Sequence, residues 1–204
     1  MIPPPERSPE RDTALEATLP NVPFDGWTYR SLRSGLRSIG AAAEDAEVLF
    51  PGGAPDMVEA FCDWADRRMT QAAAEHVAAL ALPDRVRAAI ALRLAQNRGY
   101  KEAVRRAVAV LALPRNARLA ARCTARTVDA IWLAAGDRSA DFSWYTKRAI
   151  LTAAYATTIL YWLRDSSEDD SATLGFLDRR LAGIAWTHRL RQRVGERLRR
   201  WRPA

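Results

Sequence analysis

Apolar residues recur along this chain every three or four positions, and no segment shows sustained two-residue alternation. That period gathers apolar side chains on one face of an α-helix, whereas a half-buried strand alternates. The sequence therefore predicts an all-α helical bundle of about ten helices. We expect them over residues 9–19, 29–39, 42–50, 55–80, 83–97, 100–111, 114–132, 144–163, a stretch after 166–170, and 186–204.

Prolines, glycines and capping residues set these predicted boundaries. Pro20 and Pro23 end the first helix, and a Pro-Gly-Gly turn at 51–53 ends the third. Pro83 opens the fifth helix, because proline is favoured in a first helical turn. Ser143 is a plausible N-cap for the eighth. The carboxylates of 166–170 suit the positive end of the helix that follows.

The eighth predicted helix contains a run of 15 residues, 149–163, without a charged side chain. This run is shorter than the roughly 18–20 residues that a membrane span needs, so we expect a buried helix. One interpretation is core packing plus a dimer interface. The other is that part of this apolar surface lines a cavity.

The C-terminal residues 186–204 combine an apolar stripe with most of the net charge. Apolar residues fall at spacings of four, four, four and three, and seven arginines accompany a single acid. The other 185 residues carry 24 basic and 23 acidic side chains. This pattern predicts a basic amphipathic helix on an anionic membrane surface, although packing onto the domain is an alternative. The membrane-binding candidates are Trp186, Arg189, Leu190, Arg193, Val194, Arg197, Leu198 and Trp201.

The remaining composition identifies no catalytic or metal centre. Cys62 and Cys123 lack a CxxC spacing and are expected to be reduced core residues, and His76 and His188 are the only histidines. A metal site needs several convergent ligands, so the sequence predicts no metal and no cofactor. The Pro-rich residues 1–11 lack the apolar segment of a signal peptide and are expected to be disordered. Residues 12–185 then form one domain.

Several ordered blocks carry a family resemblance. Residues 21–28 read Asn-Val-Pro-Phe-Asp-Gly-Trp-Thr, 50–53 read Phe-Pro-Gly-Gly, and 141–149 read Asp-Phe-Ser-Trp-Tyr-Thr-Lys-Arg-Ala. Tyr-Ala-Thr-Thr at 155–158, Asp-Ser-Ser at 165–167 and Thr-Leu-Gly-Phe-Leu-Asp-Arg-Arg at 173–180 continue the pattern. Together they resemble the COQ9 family of ubiquinone-biosynthesis proteins over most of the chain.

The resemblance implies a fold like that of TetR regulators, a homodimer, and binding of an isoprenoid lipid or quinone intermediate. The cavity that the eighth helix could line would then hold the isoprenoid tail, and the candidate lipid-binding residues are Tyr155, Ile159 and Trp162. It also implies presentation of that lipid to a partner, a Coq seven-type demethoxyubiquinone hydroxylase that contains two iron atoms. The chain would then be an accessory protein and not an enzyme. We expect it in the bacterial cytoplasm, peripheral on the inner membrane, or on the matrix side in mitochondria if the chain is a shortened eukaryotic one.

The same resemblance implies a surface patch for the hydroxylase around the end of the seventh helix and the start of the eighth. Tryptophan and tyrosine suit such a patch because they bury a large area while keeping a polar group. The partner-binding candidates are Asp129, Ile131, Asp141, Trp144, Tyr145 and Arg148.

A TetR-type ligand-responsive transcriptional regulator is the alternative function, and an enzyme with an unrecognised site is a third. In such regulators a helix-turn-helix reads DNA, and residues 12–50 would form it here. The predicted reading helix carries Glu44, Asp45 and Glu47 and no basic or amide side chain, so it would repel phosphate. Arg30, Arg33 and Arg37 on the preceding helix are expected to be solvated or paired with those acids. The sequence thus predicts no nucleic-acid binding.

Overall fold

The computed structural model describes residues 3–76, 80–137 and 143–182, without the side chains of residues 75, 76, 143 and 144. The chain divides into two compact units, Met1–Ala140 and Asp141–Ala204. Within the described ranges the regular structure is entirely helical, which confirms the predicted all-α class. The helices are α1 Pro9–Thr18, α2 Val22–Asp25, α3 Tyr29–Ser38, α4 Ala46–Leu49, α5 Ala54–His76, α6 Leu82–Asn97, α7 Lys101–Leu111, α8 Ala117–Ala134, α9 Ser143–Trp162 and α10 over 171–182.

Local sequence explains the helix starts in the first unit. Ser8 caps α1 by accepting the Arg11 N–H at 3.1 Å, and Thr28 caps α3 by accepting the Ser31 N–H at 3.3 Å. Short 3₁₀ turns, Ala43–Asp45 and Pro114–Asn116, lead into α4 and α8. Gly35 lets α3 approach α1 closely, since a Cβ there would lie 2.7 Å from the Ala17 backbone.

An aromatic core holds the first unit together. Trp27 and Phe61 have ring centroids 5.1 Å apart, and the Phe61 and Trp64 rings are stacked at 6.0 Å. The Trp27 indole N–H donates to the Ala103 carbonyl at 3.0 Å, which ties the α2–α3 connection to α7. Within the first unit, α5 packs most extensively against α8, followed by α1 against α3 and α5 against α6.

The prediction of a disordered segment over residues 1–11 is wrong for the described residues 3–11. Arg7 donates two hydrogen bonds to the Asp63 carboxylate, at 2.8 and 2.6 Å, and Arg126 donates to the Pro3 carbonyl at 3.0 Å. Arg11 is buried and pairs with Asp56 at 2.6 Å. Charge pairing with α5 therefore orders a segment whose proline content had indicated disorder.

In the second unit, a compact loop joins α9 to α10. The Asp165 carboxylate accepts hydrogen bonds from the Thr173 backbone N–H at 2.8 Å and from the Ser167 N–H at 2.9 Å. The Trp162 indole N–H donates to the Asp170 carboxylate at 3.0 Å, and the Tyr161 and Phe176 rings are stacked at 4.5 Å. A helix does follow the cluster 166–170, as predicted, and Asp169 of that cluster accepts the Ser171 N–H at 3.0 Å. The carboxylate that accepts the Thr173 N–H is that of Asp165, one residue before the cluster.

Candidate functional site

The region that would read DNA in a regulator presents an acidic surface. Glu44, Asp45 and Glu47 are exposed on the 3₁₀ turn and α4. The Arg33 guanidinium pairs with the Glu47 carboxylate, and Arg30 lies 3.3 Å from the Asp25 carboxylate. The predicted pairing of α3 arginines with nearby acids is therefore confirmed for Arg33. This arrangement leaves three carboxylates where a reading helix needs donors to phosphates and bases.

The partner-binding candidates have very different surroundings. Tyr145 is 72% exposed near the start of α9, while Arg148 and, in the first unit, Asp129 are half-buried. Asp141 and the Trp144 side chain lie outside the described residues. Ile131 on α8 is 0% exposed, so its side chain is buried and does not form part of a surface patch. This corrects its assignment to the partner-binding surface.

The three lipid-binding candidates lie on or beside the inner face of α9. Tyr155 is buried, Ile159 is half-buried, and Trp162 is completely buried. Because Trp162 is enclosed and its N–H is bonded to Asp170, it is a packed anchor of the α9–α10 connection. We therefore keep Tyr155 and Ile159 as the better candidates for contact with a lipid.

The opposite face of α9 is apolar but exposed. Its residues follow one another at spacings of four, four, three and four, which is one stripe of a helix. These residues are Tyr145, Ala149, Ala153, Ala156 and Leu160, of which Leu160 is 54% exposed. The uncharged run of the sequence thus has a buried face and an accessible one.

A buried polar cluster between α5, α6 and α8 was missed at the sequence level. Asp66 lies 2.9 Å from the Arg93 guanidinium and accepts a hydrogen bond from the Thr127 hydroxyl at 3.0 Å. Burial raises the pKa of Asp66 to about 6, and Arg93 and Thr127 limit the rise. The sequence feature that could have revealed this cluster is the position of Asp66. It lies four residues after Cys62 and three before the buried Met69, on one face of α5.

Both cysteines are free, and they meet across the α5–α8 contact. Interaction with the Cys123 thiol and burial both raise the pKa of Cys62. The same interaction lowers the pKa of Cys123, against its burial. Arg126, held by Glu59 at 2.7 Å, lies 3.6 Å from the Cys123 sulfur. In the part of the chain described, no three His, Cys, Asp or Glu residues converge as metal ligands.

The predicted membrane-binding residues 186–204 lie outside the described residues. Among the helices that are described, none is long and apolar enough to cross a membrane. The membrane role of the C-terminal stripe therefore stays a prediction from its sequence.

Known relatives cover most of the chain. A family model described as COQ9 matches residues 117–188. The chain is 34% identical over 176 residues to "Ubiquinone biosynthesis protein COQ9, mitochondrial" of Xenopus tropicalis and 33% identical over 175 residues to the protein of the same name in Homo sapiens. Each match covers 82% of this chain and 55% of the relative, so the chain spans about half the length of these two proteins. The coq9 protein of Schizosaccharomyces pombe is 31% identical over 183 residues, covering 89% of this chain and 72% of the relative.

A solved structure is similar in fold. It is titled "Crystal structure of the TetR transcriptional regulator from Nitrosomonas europaea ATCC 19718" and matches with a TM-score of 0.70, covering 88% of this chain and 99% of that one. The sequence identity is 22%, so the likeness concerns the fold alone. It confirms the predicted TetR-like architecture.

Proposed function

Because the chain belongs to the COQ9 family of ubiquinone-biosynthesis proteins, we propose that it is an accessory protein that binds an isoprenoid quinone intermediate and presents it to a hydroxylase. Identity with these relatives over 82% to 89% of the chain is the observation that carries this proposal. Catalysis would belong to the hydroxylase, and this chain would supply binding and orientation. The relatives' names place them in mitochondria, so a membrane-peripheral site on the matrix side fits the same proposal.

The two faces of α9 support this role. The inner face carries Tyr155 and Ile159, which offer apolar contact area to an isoprenoid chain. The outer face is exposed and without charge from Ala149 to Leu160, which suits packing against a second copy of the chain. Near the start of the helix, Tyr145 and Arg148 supply an aromatic and a cationic contact for the hydroxylase.

The fold likeness to a TetR regulator keeps transcriptional regulation as the competing function, but the acidic α4 surface opposes it. Glu44, Asp45 and Glu47 would each face the phosphate backbone of a duplex docked at α4. A gel-shift assay with genomic fragments discriminates the two functions: a sequence-specific shift would favour the regulator.

Tyr145 is the best residue with which to test hydroxylase binding, because its side chain is 72% exposed and its loss leaves the core intact. We expect Tyr145→Lys to weaken association with the hydroxylase at least tenfold, since an anchoring tyrosine at an interface is typically worth about 2 kcal/mol. Affinity is measured by titration of the purified hydroxylase. Thr13→Lys, an exposed position on α1, adds the same charge and serves as the control. Equal affinities for Tyr145→Lys and the parent chain would remove Tyr145 from the proposed hydroxylase contact.

A further inference from the structure

A basic surface lies on α7 and α8, separate along the chain from the arginine-rich residues 186–204. Residues 98–126 contain eight basic side chains and one acid, a net charge of +7. Residues 186–204 contribute +6, and the other 156 residues carry 16 basic and 22 acidic side chains, a net −6. Residues 1–185 are therefore nearly neutral in sum only because the positive charge of residues 98–126 offsets the negative charge of the rest.

The basic side chains of this segment fall on two helical faces. Arg98, Lys101 and Arg105 follow one another at spacings of three and four, and so do Arg115, Arg118 and Arg122. We call these six residues the basic face. All except Lys101 are exposed. Only residues 112 and 113 separate α7 from the 3₁₀ turn that opens α8, so the two groups are joined by a short turn.

Four arginines of this segment share two acids. Glu102 lies 2.9 Å from Arg105 and 3.5 Å from Arg106, and Glu59 on α5 lies 3.3 Å from Arg122 and 2.7 Å from Arg126.

Arg115 and Arg118 make no ion pair among the described residues, and the first turn of α8 contains no acid. A helix N-terminus is the positive end of the helix dipole, where basic side chains are unfavourable. The fold therefore gains nothing evident from these two arginines. An anionic partner outside the chain would supply the missing counter-charge.

We propose that the basic face binds the anionic headgroups of a phospholipid membrane. Guanidinium groups match phosphate in charge and geometry. At the turn between the two groups, Leu113 is 37% exposed beside the exposed Ala112, and these apolar groups suit the boundary between headgroups and acyl chains. The inference rests on the proposed function in one respect: a protein that collects an isoprenoid intermediate works at a membrane.

The test measures partitioning of the full-length chain onto vesicles of phosphatidylcholine containing phosphatidylglycerol, and onto phosphatidylcholine alone. The test variant is Arg115→Glu with Arg118→Glu. The control is Arg30→Glu with Arg37→Glu, two exposed arginines of α3 that change the net charge by the same amount. Both variants keep residues 186–204, so a difference between them does not come from that segment. We expect the α8 variant to lose at least about tenfold in partitioning onto the anionic vesicles, and the α3 control to lose much less.

Equal losses in the two variants, no loss in the α8 variant, or equal binding of the parent chain to neutral vesicles would overturn the proposal. So would a parent chain that binds mixed-sequence duplex DNA through Arg115 and Arg118 but does not bind anionic vesicles. Circular dichroism checks folding, and the milder pair Arg115→Gln with Arg118→Gln, with a smaller expected loss, replaces the glutamates if they unfold the chain. Isoprenoid co-purification is measured separately, so failure of this surface is distinguishable from failure of the proposed function.

Discussion

The ionisation of Asp66 should make the free energy of unfolding depend on pH. Its pKa in the folded state is about 6, whereas an unfolded aspartate titrates near 3.9. The folded state therefore holds this proton more tightly than the unfolded state does. The stabilisation that results is complete below about pH 4 and is lost as the pH rises through about 6, an effect of on the order of 2–3 kcal/mol.

We expect Asp66→Asn to remove this loss, because an amide at this position does not ionise and still accepts the Thr127 hydrogen bond. The measurement is the free energy of unfolding by urea between about pH 2 and 7, as the difference between variant and parent chain, so that it covers the titration of Asp66 and that of the control. Asp63→Asn on the same helix is the control with the opposite sign. Burial alone would raise the pKa of Asp63, but hydrogen bonds from Arg7 and Arg67 lower it, so its stabilisation is lost as the pH falls. A pH-independent difference for Asp66→Asn would contradict the raised pKa.

Individual site residues were harder to predict than the fold. Ile131 and Trp162 occur in the expected segments, yet both are completely buried. The sequence pattern of apolar residues at helical spacing is the same whether a side chain faces a neighbouring helix, a cavity or a partner. The pairing of Arg33 was predicted better, because a charge near opposite charges has a more specific signature. Tyr145 is exposed, and its role in partner binding stays a prediction. Asp66 was missed since its partner Arg93 lies on another helix, 27 positions away.

At the scale of elements, α9 yields a prediction about association. Its exposed stripe is apolar and made mainly of alanines, so a second copy of the chain can approach closely. We expect the parent chain to be a dimer and Ala153→Arg to shift it to a monomer at micromolar concentration, because a buried arginine without a partner is costly at an interface. Light scattering after size-exclusion chromatography measures the mass. Ala95→Arg on α6 is the control, an exposed helical alanine outside the stripe. A parent monomer, or a dimeric Ala153→Arg variant, would show that this face is not the dimer contact.

Most helices were predictable because local residues determine where they begin and end. Ser8, Thr28 and Pro83 occur at or beside the starts of α1, α3 and α6, as capping and first-turn preferences require. The sequence does not predict the single turn α2, since Pro20 and Pro23 both indicate the end of a helix. Pro23 lies in the first turn of α2, where its missing N–H costs nothing. The N-terminal residues show the converse error: ion pairs with distant acids order a segment that composition alone describes as disordered.

At the scale of the whole molecule, the chain has a fold like that of a TetR regulator and belongs to a family of ubiquinone-biosynthesis proteins. The fold likeness concerns architecture alone, α4 is acidic, and the COQ9 relatives favour a role in ubiquinone biosynthesis. Charge is distributed accordingly. The basic residues concentrate on α7, α8 and the C-terminal segment, and the surface that would read DNA carries acids.

Lipids that co-purify with the chain test the central proposal most directly. The full-length protein is purified from a ubiquinone-producing host, and its extracted lipids are identified by mass spectrometry beside those of an unrelated protein purified in the same way. We predict strong enrichment of polyprenyl quinone precursors over bulk phospholipid. A chain that carries only bulk phospholipid, or no lipid at all, would contradict the binding of an isoprenoid quinone intermediate.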